Sequence, residues 1–292
     1  MAENTKKEIK EREEKKVELG ANIFLCIMSL LILSILLFPI FWILNTSLKT
    51  ETEIFANPPT FYPHVLNLKS YAAQVEIGDF NMFRSFLNSF CISFAAMGIS
   101  VVLSVPAAYG IAQYHFKGRN AMLLGFLVTQ MLPVSVLLTP MFIMFRNIHL
   151  YNTWGSAILA DATIGIPFSV LILKNYFAAI PRDLEEAGYI DGCSRFGAFF
   201  RIMVPITRPG IMVCAIFSFL YAWGDLAYGM TFILDQKKRP ITAGIFNFLG
   251  QYGTKWSYLS AFAIVTIIPV ALIFIFMQKY IIAGMTRGAV KG

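Results

Sequence analysis

The chain has 292 residues, a formal net charge of +7, 57% hydrophobic and only 14% charged residues, and a mean hydropathy of +0.64. Soluble domains average about 45–50% apolar and about 25% charged residues, and disordered chains are polar, so both classes are excluded. Four Cys in this length also exclude a disulfide scaffold, which leaves an integral membrane protein.

Residues 1–20 form a charged leader, with six basic and six acidic side chains between Met1 and Glu18. The alternating charges suit either a short surface helix or a solvated tail. The next apolar run, in residues 21–45, is centred on Ile23–Leu44. A cleaved signal peptide has an apolar core of about 7–15 residues, and this run is longer. About 20 apolar residues cross about 30 Å of hydrocarbon, so the run reads as an uncleaved first transmembrane helix. Residues 46–85 form a polar outer loop containing Pro58-Pro59 and Pro63.

Residues 86–278 hold five further apolar stretches: Phe86–Ala112, Ala121–Phe145, Gly155–Leu173, Gly210–Leu234 and Leu259–Met277. The expected fold is all-α and polytopic, with six transmembrane helices. Asp161 and Pro167 interrupt the fourth span. Residues 279–292 form a short tail. With the N-terminus inside, sixteen of the 24 Lys and Arg residues fall on the cytoplasmic side. That bias predicts cytoplasmic termini, and it assigns the net positive charge to orientation rather than to nucleic acid.

The cytoplasmic stretch 178–208 is long for a helix connection, so it needs a reason. Asp183 and Glu186 have capping-box spacing after Pro181, which predicts a helix from about Leu184 to a break at Gly192. Ser194 is the expected N-cap of a second helix. That helix places Phe196, Phe199, Phe200 and Met203 on one stripe, and Pro205 and Pro209 are expected to end it. The first helix sets Glu185, Glu186 and Asp191 beside the small residues Ala187, Gly188 and Gly192. Small residues allow close approach of another surface, and acids offer pairing to its basic groups. This favours a protein-docking loop over one lying on anionic lipid.

Glu186-Ala187-Gly188, Asp191-Gly192, Phe199, Ile202, Pro205 and Pro209 resemble the EAA loop of permease subunits in ABC importers. Gly188 and Cys193 stand where that pattern has Ala, and both keep the position small. The C-terminal stretch from Gln278, ending Gly288-Ala289-Val290-Lys291-Gly292, resembles the tail of MalG-like carbohydrate permeases. Phe38-Pro39 and Asn45-Thr-Ser-Leu-Lys49 resemble their first helix and its exit, and Trp223 with Asp225 resembles a feature of their fifth.

The resemblance implies a type I ABC importer transmembrane domain in a prokaryotic cell membrane, forming half of a pore. It implies four kinds of partner: a MalF-like second permease, an ABC ATPase dimer, an extracytoplasmic solute-binding protein and a carbohydrate substrate. Glu185, Glu186, Ala187, Gly188, Asp191 and Gly192 would dock on the ATPase, and Gly288, Ala289, Val290 and Lys291 would make tail contacts. Ser218, Tyr221, Trp223, Asp225 and Asp161 are candidates for the translocation path. The sequence contains no Gly-x-x-x-x-Gly-Lys-Ser/Thr phosphate loop, so ATP and Mg are expected on the partner subunits and no cofactor on this chain.

Two acids in neighbouring spans raise an intramembrane aspartyl protease, but Leu159-Ala-Asp161-Ala and Trp223-Gly-Asp225-Leu lack its sequence contexts. An ion-coupled transporter would leave the loop motif without a role. A sugar phosphate or glycerol phosphate importer remains as an alternative within the resemblance. His64, His115 and His149 are isolated, so no metal centre is expected.

Overall fold

The structure, a computed structural model, describes residues 2–72, 76–77, 80–250 and 253–289. These are helical apart from turns, loops and two two-residue β-hairpins. The chain divides into two compact units, Met1–Ser70 with Trp256–Ile264 and Tyr71–Lys255 with Val265–Gly292. Among the described residues five helices are long and apolar enough to cross a membrane, and a sharply bent helix pair passes the same test only when its two helices are taken together.

In the first unit, helix α1 runs unbroken over Ala2–Ser47. The leader and the first span are therefore one rod, in place of a separate surface helix or tail. Side chains from Gly20 to Ile40 are exposed on every side, which suits a helix surrounded by lipid or other subunits. At its exit the chain folds back on itself. Asn45 Nδ2 donates to Phe61 O at 2.7 Å, and Asn67 N donates to Leu48 O at 2.8 Å. Lys49 is buried, donates to Thr60 O and lies over the Trp42 ring, 5.4 Å from its centroid. A buried ammonium needs such partners, so the Asn45–Lys49 segment acts as a lock on the loop.

Helix α2 (Glu51–Ile54) is capped by Thr50, and a short α3 covers Lys69–Ala72. The outer loop is thus folded rather than merely polar. Glu51 Oε1 accepts from the Ser257 N–H and hydroxyl, at 2.9 and 2.7 Å, and so caps the first turn of the last helix.

The second unit is built on α4 (Met82–Gln113) and α7 (Trp154–Ala178). Between them, Arg119–Met131 is α5 and Val134–Asn147 is α6. Ser85, Ser89, Ser93, Ala96, Ser100 and Ser104 form a buried stripe of small residues along α4. Small side chains let membrane helices approach closely, and dispersion then replaces the absent hydrophobic drive. At Gly165 of α7 a Cβ would collide with Ser100 Oγ and lie 3.0 Å from Ser218 Oγ. Asp161 and Pro167 do not interrupt α7, which runs straight through both.

Three further expectations are corrected. The third span, Ala121–Phe145, is two helices bent by 101°. Pro133 forces Leu132 into an extended conformation (ψ 124°), whereas Pro140 stays inside α6. The fifth span, Gly210–Leu234, starts earlier and breaks in the middle. Helix α10 covers Val204–Gly224, and Asp225 is extended before the short α11 (Ala227–Phe232). Asp225 accepts from Tyr228 N at 3.2 Å and Gly229 N at 2.9 Å, which starts the new helix locally.

Last, Pro205 and Pro209 do not end the helix in front of α10, but lie within α10 itself. Beyond α11, Asn88 Nδ2 holds Lys237 O and Arg239 O, at 2.9 and 3.0 Å, and Trp154 Nε1 holds Lys238 O. Helix α12 (Trp256–Ala289) carries the last span on through most of the expected tail.

Candidate functional site

The connection between α7 and α10 contains helix α8 (Arg182–Ile190), a turn, helix α9 (Arg195–Ala198) and a π-turn over Phe199–Met203. Pro181, not Asp183, occupies the N-cap of α8, so the capping box does not form. Gly192 has φ +85°, a left-handed conformation that disfavours a side chain, and the chain reverses there as expected. Ser194 accepts from Gly197 N at 3.1 Å and caps α9, also as expected. The single predicted stripe is split. Phe199 and Met203 are buried, whereas Phe196 is 79% exposed and Phe200 62%. A π-turn inserts one extra residue, which rotates the side chains before it relative to those after it.

The residues predicted to dock fall on two faces of this loop. Glu186, Ala187, Asp191 and Gly192 are exposed. Glu185 and Gly188 are buried and face the chain's own bundle, which corrects the expectation that both are offered to a partner. A Cβ at Gly188 would collide with the Ile202 side chain, so the small residue serves internal packing. Glu185 Oε1 accepts from the hydroxyls of Tyr109 on α4 and Tyr189 on α8. The Tyr189 phenol is pushed up to about 12, chiefly by that bond and further by burial, so it donates throughout the physiological range. Arg182 Nη2 donates to Gln113 O at 3.3 Å, a second tie from α8 to α4. A cavity of about 180 Å³ lies between them, lined by Gln113, Tyr114, Arg182, Glu185, Glu186, Tyr189 and Arg195.

The candidates for the path are also divided. Asp161, Ser218 and Trp223 are buried within the second unit. Ser218 meets Gly165 at the close approach of α7 and α10, so it packs helices rather than lining open space. Trp223 donates from Nε1 to Thr266 O at 3.3 Å and stacks on Phe219. Asp161 Oδ1 is buried with no hydrogen-bond partner among the described residues. Tyr221 and Asp225 are partly exposed, and Tyr221 stacks on Phe217, which stacks on Phe168 at 3.6 Å. Of the tail residues, Gly288 and Ala289 continue α12, while Val290 and Lys291 lie outside the described residues. No group of three or more His, Cys, Asp or Glu side chains is placed to hold a metal among the described residues.

Two features with structural weight were not anticipated from sequence. Tyr109, the partner of Glu185, has no local signature. The serine stripe of α4 does have one, a spacing of mostly four residues, and it marks the close approach of α4 to Gly165 of α7.

Comparison with known proteins adds to this geometry. The family profile described as "Binding-protein-dependent transport system inner membrane component" matches residues 100–287. The sulfoquinovosyl glycerol transport system permease protein SmoH of Agrobacterium fabrum is 35% identical, over 88% of this chain and 89% of its own. The trehalose transport system permease protein SugB of Mycobacterium tuberculosis is 34% identical, over 91% and 96%. A bacterial ABC transporter involved in import of the acidic polysaccharide alginate has the same fold, with a TM-score of 0.75 over 89% of this chain and 95% of that one, at 18% identity. With the membrane helices, this profile and these relatives in agreement, the chain belongs to the inner membrane components of binding-protein-dependent transport systems, the permeases of ABC importers.

Proposed function

We propose that the chain is one of two permease subunits of an ATP-driven importer for a carbohydrate, above all an oligosaccharide. It forms half of the translocation pore beside a MalF-like second permease. An extracytoplasmic solute-binding protein delivers the sugar, and a pair of ABC ATPase subunits binds ATP and Mg. The termini and the α8–α9 loop lie on the cytoplasmic side, in keeping with the Lys/Arg bias. The observation that carries this reading is the outward face of α8, where Glu186, Ala187, Asp191 and Gly192 are exposed on a helix whose other face is fastened to its own bundle. That is the arrangement a docking helix needs. The carbohydrate assignment draws support from relatives named for trehalose and for sulfoquinovosyl glycerol transport. Tyr221 and Asp225, the partly exposed candidates, are the residues assigned here to the path.

ATP drives closure of the ATPase pair, the docked loop moves with it, and the bundle passes between inward- and outward-facing states. Such coupling requires the loop to contact the ATPase differently in its two states. The test is to purify the assembled complex and measure ATP hydrolysis with the binding protein and a panel of oligosaccharides. Stimulation by an oligosaccharide is expected. Stimulation only by a peptide or a phosphate ester overturns the carbohydrate assignment.

A further inference from the structure

Glu185 is a buried carboxylate with two hydroxyl donors and no cation paired to it among the described residues. Burying a carboxylate costs several kcal/mol unless it is well bonded, and an apolar side chain would fill the same space at less cost. Packing alone therefore does not account for an acid here. What the acid adds is a directional tie between elements far apart in sequence. Tyr109 lies near the end of α4, 76 residues before Glu185. Its ring meets Phe177 at the end of α7 at 5.6 Å and Phe199 of the π-turn at 4.8 Å. Tyr189 closes the clasp from within α8, one turn along from Glu185. Neighbouring acids on one helix thus point to different tasks, Glu186 outward and Glu185 inward.

We propose that Glu185 is a positioning residue for energy coupling. Clasped by the hydroxyls of Tyr109 and Tyr189, it fastens the loop helix to α4, so that movement imposed on α8 is carried into the membrane bundle. The bond to Tyr109 is the transmitting one, because it joins two elements. The bond to Tyr189 fixes the carboxylate rotamer. Removing the Tyr109 hydroxyl leaves α8 free to follow the ATPase while α4 lags. This rests on the docking reading of α8 above, and the test separates the two.

The test uses the assembled complex, with and without an ATP analogue, read by hydrogen exchange of backbone amides on α8 and on the last turns of α4. Tyr109→Phe preserves the ring and its packing. In the wild type, nucleotide is expected to change exchange on both helices. In Tyr109→Phe the response of α8 is expected to remain, while that of α4 falls by about tenfold or more, as for loss of one charge-assisted hydrogen bond. Glu185→Gln keeps an oxygen acceptor and is expected to restore part of the α4 response that Glu185→Ala loses. A merely structural role would lower the yield or melting temperature of the complex and leave the response of the two helices in proportion. An α4 response equal to wild type in both Tyr109→Phe and Glu185→Ala overturns the clasp alone. A wild-type α8 that ignores nucleotide overturns the docking reading and the clasp with it.

Discussion

Glu185 and Asp225 are both acids that accept two hydrogen bonds, yet they do different work. The donors of Asp225 are backbone N–H groups three and four residues ahead of it. The principal donor of Glu185 is a phenol on another helix. A local acid of the first kind starts a helix and needs nothing from the rest of the fold. A remote acid of the second kind exists only once α4 and α8 have met, and it records their relative position.

The contrast is breakable by mutation. Glu185→Ala leaves two phenols without their acceptor, and a loss of about 3 kcal/mol is expected in denaturation of the purified protein in detergent. Equal stability of the variant would mean that the phenols find other acceptors. Glu186→Lys, one residue on, faces solvent and should leave the melting temperature unchanged. It should weaken assembly with the ATPase by about tenfold or more, or about 1.4 kcal/mol, measured by co-purification and uptake. Wild-type assembly and transport would remove Glu186 from the docking surface.

Asp225→Ala removes a cap and is expected to cost about 1 kcal/mol, while Asp225→Asn, which keeps a side-chain oxygen, should cost less. If Asn is as harmful as Ala in thermal unfolding, the charge of Asp225 matters beyond capping. The smallest effect concerns Glu53, another acid with several donors. The His64 backbone N–H, helped by the His64 ring and the Thr60 hydroxyl, holds its carboxyl below the usual 4.5. A lowered folded pKa contributes stability above the unfolded value, and that contribution is lost as pH falls through the lowered one. Protection factors of amides near His64, corrected for intrinsic exchange, should therefore fall on acidification through the carboxylate range, and Glu53→Gln should flatten that dependence.

What the sequence made legible was local. The turn at Gly192 and the Ser194 cap rest on residues within a few positions of each other. Five of the six apolar stretches were legible as long membrane-type helices because length and hydropathy suffice to mark one. Which of Glu185 and Glu186 points inward was not, because that phase is set by Tyr109 and by Ile202 against Gly188. The break at Asp225 was hidden by an apolar run that continues on both sides of it. The bend at Pro133 had its signal in the proline, but Pro140 in the next helix carries the same signal and does not end that helix. Only the surrounding packing separates the two.

The π-turn at Phe199–Met203 has a consequence for how the loop is aimed. In an α-helix each residue advances the side chains by about 100° around the axis. The heading of α9 relative to α10 is thus set by a count of residues, as the angle of a crank is set by the spline on which it is mounted. Deleting one residue within the π-turn would turn it into ordinary α-helix and leave α9 and α10 helical on either side. It would still swing the segment that leads back to α8 by about a quarter turn, and the exposed face of that loop would look the wrong way.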